Sequence, residues 1–352
     1  MTAYPSGNDL AKGPKHKGKP MVAHRFRWLM AICCAVQFAA LPAYGAPPTP
    51  ANAGEARVAV KLPFDPPVET PLRYAFERRV ETGGQVHIMR SVEELRFRRL
   101  ADGWQLQWIT RSVDLLPSDT MPPLPAAVAK ANVGLTLLLS LDAAGVMRGI
   151  DNLDAVRAAS NRALTAMLSE MDTQFAAMPA GRRQQLRQMM NGLADQRQRQ
   201  TDGQFVQGLF QFKGMLLLDG AVLVPDQPKQ QFYQLPAPFG SGTLKYEART
   251  VLKDWRPGIA ARLVTTSVTD PDDFRRFMQV LATQGLANNP DARKRAAAEA
   301  ATAAMSTPRI EDEMVQDIAL PTGIVERVQY SRMVDIPGLL SSNETRKFTP
   351  VK

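Results

Sequence analysis

Few residue types in this chain can do chemistry, and their placement removes most reaction classes. Both cysteines, Cys33 and Cys34, sit in an apolar run near the N-terminus, and His87 is the single histidine beyond that run. If the run is removed, no thiol nucleophile, disulfide or thiolate metal site remains. One histidine is too few for an ordinary zinc site. His87 alternates with Val86 and Ile88, so the pattern predicts a solvent-facing side chain. No G-x-S-x-G occurs, and Gly240-Ser241-Gly242 reads as a flexible loop. The acidic groups are Glu93-Glu94, Asp270/Asp272/Asp273 and Glu311-Asp312-Glu313. The second reads as a helix cap, and the third lacks the spacing and glycine of a calcium loop. A pair of carboxylates for glycoside hydrolysis need not be close in sequence, yet nothing singles one out. No catalytic residue, metal ligand or cofactor is predicted.

Two other groups suit binding rather than catalysis. Met167, Met171, Met178, Met189 and Met190 form a methionine-rich helical stripe, and methionine adapts to irregular apolar shapes. Together with Trp104 and Trp108 on a strand, Met167 and Met171 are the expected liners of an apolar pocket. Arg182-Arg183 and the Gln/Arg run to Gln200 read as a solvated helix face.

The elements that would position these residues begin after a leader. Met21 to Arg27 is short and basic, Trp28 to Ala40 is an apolar run of about thirteen residues, and Ala43 and Gly45 supply small residues before a cut. The run falls short of the roughly 20 residues of a spanning helix. A cleavable secretory signal over residues 1–45 is expected, with translation from Met1 or Met21. Ile32 before Cys33 argues against lipidation. The whole chain carries 43 Lys+Arg against 34 Asp+Glu, net +9, but the first 45 residues hold six of the bases and one acid, which leaves net +4. Such mild basicity fits an exported protein near anionic surfaces and does not call for nucleic acid.

Residues 46–71 read as a Pro/Ala-rich tether and a first strand, Arg57 to Leu62. From 72 to 352 one α+β domain is predicted, long enough to bury a core without staples. Leu72, Tyr74 and Phe76, then Trp104, Leu106 and Trp108, alternate as antiparallel strands with one wet face, and a phase change near Glu93-Glu94 suggests a bulge. Val133 to Leu141 and Val146 to Ile150 form a hairpin about Asp142–Gly145. Helical sequence follows over about 152–213, and again over 271–306 behind the start signal Asp270-Pro271. A small hairpin is expected over Met215–Val224, a loop over Pro225–Gly242, and strands in the remainder. The fold class is α+β: a curved, largely antiparallel sheet, as far as a half-barrel, with the inserted helices packed on one side.

Three function classes follow. The first is a periplasmic or secreted non-enzymatic module that binds a lipid or other apolar ligand. The second is a cell-envelope interaction or assembly factor with a protein partner and no small ligand. The third is a carboxylate-based hydrolase.

Overall fold

The computed structural model describes residues 59–116, 133–174, 214–218, 222–236, 243–277, 309–336 and 340–351, with scattered positions between 180 and 206. The expected signal, its cut after Gly45 and most of the two helical insertions lie outside the described residues.

The chain forms thirteen described strands: β1 (Val60–Lys61), β2 (Leu72–Thr82), β3 (Gln85–Leu100), β4 (Gly103–Leu116), β5 (Thr136–Leu141), β6 (Met147–Ile150), β7 (Val222–Leu223), β8 (Lys229–Pro236), β9 (Thr243–Arg256), β10 (Ala260–Thr269), β11 (Arg309–Ala319), β12 (Ile324–Ile336) and β13 (Leu340–Pro350). Eleven make one open sheet in the order β6-β5-β4-β3-β2-β13-β12-β11-β10-β9-β8, and every ladder in it is antiparallel. Two meanders are thus joined at one seam. Residues from β2 to β6 run outward on one side, those from β8 run inward on the other, and the C-terminal strand β13 lies in the middle against β2. Phe76 and Phe348 face each other across that seam with ring centroids 4.6 Å apart. The sheet is not closed into a barrel.

Period-2 alternation decides which face is buried. Tyr74, Phe76, Leu95, Phe97, Trp104, Leu106, Trp108, Leu137 and Leu139 are buried on one side, and Leu252, Leu263, Ile318, Val328 and Phe348 continue that face across the seam. The opposite face carries most of the exposed arginines and acids. Packed on the buried face are Leu62, Val156, Phe205, Met215, Leu216 and Leu218. Val156 belongs to the helix α1 (Leu153–Gln174). Its start is pinned to the sheet: Asn152 accepts from Leu138 N with its side-chain oxygen, donates from Nδ2 to Thr136 O, and accepts the first helical bond from Val156 N. At the second helical stretch, 271–277, Asp270 Oδ1 accepts from the backbone N–H of Asp272 and Asp273, the expected cap.

Four local expectations change. The stretch 225–242 was expected to be a loop, but β8 occupies Lys229–Pro236 as an edge strand, where proline and a wet outer side are tolerated. Residues 214–216 form a 3-10 turn, and β7 pairs with β1 instead of closing a local hairpin. The first strand is two residues long and stands apart from the main sheet. There is a bulge beside Glu93, but it belongs to β4: Val92 pairs with Ser112 and Glu93 with Thr110, so Arg111 is the extra residue. Strand β3 keeps its phase throughout. His87 therefore shares the inner face with Met89, Ser91, Glu93 and Leu95.

Candidate functional site

The inner face has two zones. The apolar zone lies toward the end of the sheet that carries the 142–145 and 322–323 turns. Next to it, two rows of residues cross the sheet in register. One row reads His87, Val80, Glu344, Arg332, Asp312 and Ser267, and the other Met89, Arg78, Arg346, Tyr330, Met314 and Thr265. This is an ionic belt on the side of the sheet that otherwise forms the core.

Two carboxylates organise it. Asp312 accepts from Arg332 Nε at 2.6 Å and Nη2 at 2.8 Å, from Tyr330 Oη at 2.8 Å and from Ser267 Oγ at 3.3 Å. Glu344 Oε1 accepts from Arg78 Nε and from Arg346 Nε, each at 2.5 Å. The Arg346 guanidinium also stacks over the Tyr330 ring at 4.9 Å, a cation–π contact strengthened by burial. Arg332, Asp312, Arg346 and Glu344 are all buried. Ordinarily such burial would disfavour their charges. For Glu344, burial pushes the carboxyl pKa up, but the Arg346 and Arg78 guanidiniums outweigh it and hold the group well below the usual carboxylate range. Burial, with Asp312 beside it, pushes the Tyr330 hydroxyl well above its ordinary value. Glu344 therefore stays ionised and Tyr330 stays protonated at neutral pH, and burial likewise raises the hydroxyl of Tyr246 on β9.

A smaller polar node lies at the boundary with the apolar zone. Glu93 accepts from Ser91 Oγ at 2.7 Å, Trp108 Nε1 at 2.7 Å and Thr110 Oγ1 at 2.9 Å. His87 Nδ1 is buried on the same face, and no hydrogen-bond partner for it exists among the described residues.

The expected pocket liners fall on both sides of what the structure describes. Trp104 and Trp108 are on β4, at 1% and 0% exposure, inside the packed apolar zone. Trp104 meets the Phe64 ring edge-on at 5.9 Å and lies under Arg99 at 4.5 Å, and its Nε1 has no acceptor among the described residues. Met167 and Met171 fall on α1, but their side chains lie outside the described residues. Sequence reasoning missed the belt. Its signal was available: Arg78 is in phase with Phe76, Tyr330 and Arg332 with Val328 and Val334, and Glu344 and Arg346 with Phe348. A charge at a core-phase position is the mark of a buried ionic network.

The apolar zone is closed over by a short strap. Leu62 is buried, Phe64 meets Phe97 and Trp104 edge-on, and Asp65 N donates to Thr322 O at 2.8 Å. The strap touches two turns of the sheet. A Cβ on Gly145 would lie 2.5 Å from the Phe64 ring, and one on Gly323 would lie 1.8 Å from the Pro63 carbonyl oxygen. Both glycines hold positive φ, 81° and 67°, so each turn is shaped for this close approach.

On the opposite face, an open depression of about 770 Å³ between β9 and β12 is lined by charges, among them Asp254, Arg262, Asp317 and Arg327. Arg262 donates to Asp317 at 2.8 Å and Asp254 at 3.2 Å. Among the described residues no cluster of three or more His, Cys, Asp or Glu is placed to hold a metal, and no helix is long and apolar enough to cross a membrane. In comparisons with protein-family models and with curated proteins the chain matches none of them, so its function has to be read from the geometry of its own site.

Proposed function

We propose that the chain is an exported, non-enzymatic carrier for an amphipathic ligand, bound on the inner face of a half-barrel. The observation that carries this reading is the division of one sheet face into a continuous apolar zone and an adjoining ionic belt. An acyl or other apolar portion would lie along Leu95, Leu106, Trp104 and Trp108, and a polar end would meet the belt of Arg78, Arg346, Arg332 and Tyr330. The strap supports the half-barrel. The Gly145 turn belongs to β5–β6 and the Gly323 turn to β11–β12, and five ladder steps separate β5 from β12. At about 4.8 Å per step these strands would stand roughly 24 Å apart in a flat sheet. One dipeptide, Pro63-Phe64, touches both turns, and this supports a coiled sheet over a flat one. Glu344 is held in its charged form by Arg346 and Arg78, which suits orienting a headgroup better than donating a proton.

A second reading has its own observation. Leu62, Phe64, Phe205, Met215 and Leu216 already fill the apolar zone, as expected for an envelope assembly factor that needs no ligand and meets its protein partner through other surfaces. On the carrier reading these residues form a movable plug.

Native mass spectrometry of the full chain recovered from the exported fraction, with solvent extraction of what copurifies, separates the two. A stoichiometric lipid-like mass supports the carrier. A repeatedly empty protein, together with failure to take up a fluorescent fatty acid, removes it and leaves the assembly factor. The same spectrum tests export, because cleavage after Gly45 gives a chain starting at Ala46.

A further inference from the structure

The outer face of β2, β3 and β4 carries a second cluster, independent of the inner belt. Glu94 lies beneath three arginines. Arg111 donates to it from Nε at 3.2 Å and Nη2 at 2.8 Å, Arg73 from Nε at 3.1 Å and Arg96 from Nε at 3.0 Å. The Glu94 side chain has 0% exposure while Arg73, Arg96 and Arg111 keep 55%, 40% and 46%. The hydrogen bond from Arg111 lowers the Glu94 carboxyl; burial opposes it, and Arg73 and Arg96 add to it, bringing the pKa down to about 2. One carboxylate is thus spent on three guanidiniums, and the cluster keeps a net charge of +2.

An ordinary surface ion pair does not have this form. A single pair leaves no excess charge and costs side-chain entropy on both partners. Here the buried carboxylate fixes three long side chains at once, and each guanidinium has five N–H donors, of which only one or two go to Glu94. The bulge is what admits the third arm: Arg111 is the extra residue of β4, and its backbone position lets it reach Glu94 from the strand beside it. Arg98 stands on the same outer row of β3, two residues beyond Arg96, and is exposed. A set of planar, partly exposed forks already ordered on one anchor matches the geometry of a tetrahedral, multiply charged oxyanion.

We propose that Arg73, Arg96 and Arg111, held by Glu94, form a binding site for a phosphate-bearing ligand on the outer face. The shared chemistry is the phosphate oxyanion, and it is available either as a free phosphate or as the headgroup of an anionic lipid. The test uses the full chain and a double variant, R96K/R111K, that keeps every charge but removes two forks. Inorganic phosphate is titrated with the arginine Nε–Hε signals observed by NMR, and the chain is floated with vesicles of pure phosphatidylcholine or with phosphatidylglycerol added. Saturable shifts at the three arginines, weakened at least tenfold in R96K/R111K, support a free-phosphate site. Flotation only with phosphatidylglycerol, lost in R96K/R111K, supports a lipid headgroup. Equal binding by both proteins in either arm would mean that net charge alone attracts the anion, and overturns the proposal. So does the absence of both saturation and flotation. A thermal melt of R96K/R111K, expected within a few degrees of the parent because the side chains are surface-exposed, excludes unfolding, and E94Q gives a second reading. It raises the net charge, so simple electrostatics predicts tighter binding, whereas loss of the anchor predicts weaker binding.

Discussion

Asp312 is the residue on which most of the inner belt depends, because it answers Arg332, Tyr330 and Ser267 together. Replacing it by Asn removes the charge that balances a buried guanidinium and leaves Arg332 with a neutral acceptor. Losing one member of a buried ion pair costs about 3–5 kcal/mol, so D312N should lower the urea midpoint by that equivalent. Exchanging both partners, as D312L/R332M, should cost clearly less, because apolar residues of similar size carry no such desolvation cost. Equal losses in the two variants would show that the belt is held by packing and not by its charges. The sequence shows both members of this pair but not their pairing. Glu311-Asp312-Glu313 reads as a run of acids, and only the period-2 register tells that Asp312 faces inward while its neighbours face out. His87 fails for a related reason. Its predicted side rested on a phase change that β3 does not have, since β4 absorbed the irregularity by bulging at Arg111. Alternation within a strand is legible from the strand itself, but a bulge is shared between two strands and either can carry it.

At the scale of elements, the strap Val60–Asp65 is held by two glycine turns and little regular structure. Gly323→Ala would place a methyl group on the Pro63 carbonyl, where only backbone can move, and it would also strain a positive φ that costs an L-residue about 1–3 kcal/mol. Gly145→Ala would push against the Phe64 ring, which can swing away. G323A should therefore release the strap the more fully of the two. The release should show as faster limited proteolysis between residues 59 and 66 and as a shift in tryptophan emission as Phe64 leaves Trp104. If both variants resist protease as the parent does, the strap is not a separable element and the movable-plug part of the carrier reading fails with it. Here too the sequence was only partly informative. Gly145 announced a turn, and that turn exists, but the residues that press on it and on the Gly323 turn lie far away in the chain. The edge strand β8 was hidden for another reason: Lys229-Gln-Gln has too few apolar residues to alternate visibly, and Pro228 and Pro236 read as loop.

For the molecule as a whole, the consequential feature is the seam between β2 and β13, which joins the two meanders through the two ends of the described sheet sequence. Removing 340–352 would unpair β2 and β12 together and take Phe348, Glu344 and Arg346 with it. The chain should then fail to unfold as one cooperative unit, with loss of near-UV circular dichroism from the tryptophans of β4, which the deletion does not touch. A sharp transition with intact tryptophan signal would show that the N-terminal meander is stable alone. That the sheet would be antiparallel was legible in the alternation of its hairpins; that its last strand would close against its first long one was not, since no local pattern encodes a contact between residues about 270 apart. The long-range pairing places Glu344 under Arg78 at the seam, the local β2–β3–β4 meander places Glu94 under its three arginines on the outer face, and together these two acids set the pH behaviour. Both have folded pKa values below the ordinary 4.5, Glu94 at about 2 and Glu344 well below the carboxylate range. As pH falls through 4.5 the unfolded chain takes up protons that the folded chain refuses, so the equilibrium shifts toward unfolding. Their contribution should be complete above about pH 5 and be lost progressively between 4.5 and 2. Urea midpoints at pH 7, 5, 4, 3 and 2.5 measure it. Salt separates the two sites: near 1 M, where the Debye length is about 3 Å, the part due to Glu94 and its half-exposed arginines should shrink, and the part due to the buried Glu344 should persist. A midpoint that does not move between pH 5 and 2.5 would mean that neither carboxylate is held in its charged form by its arginines.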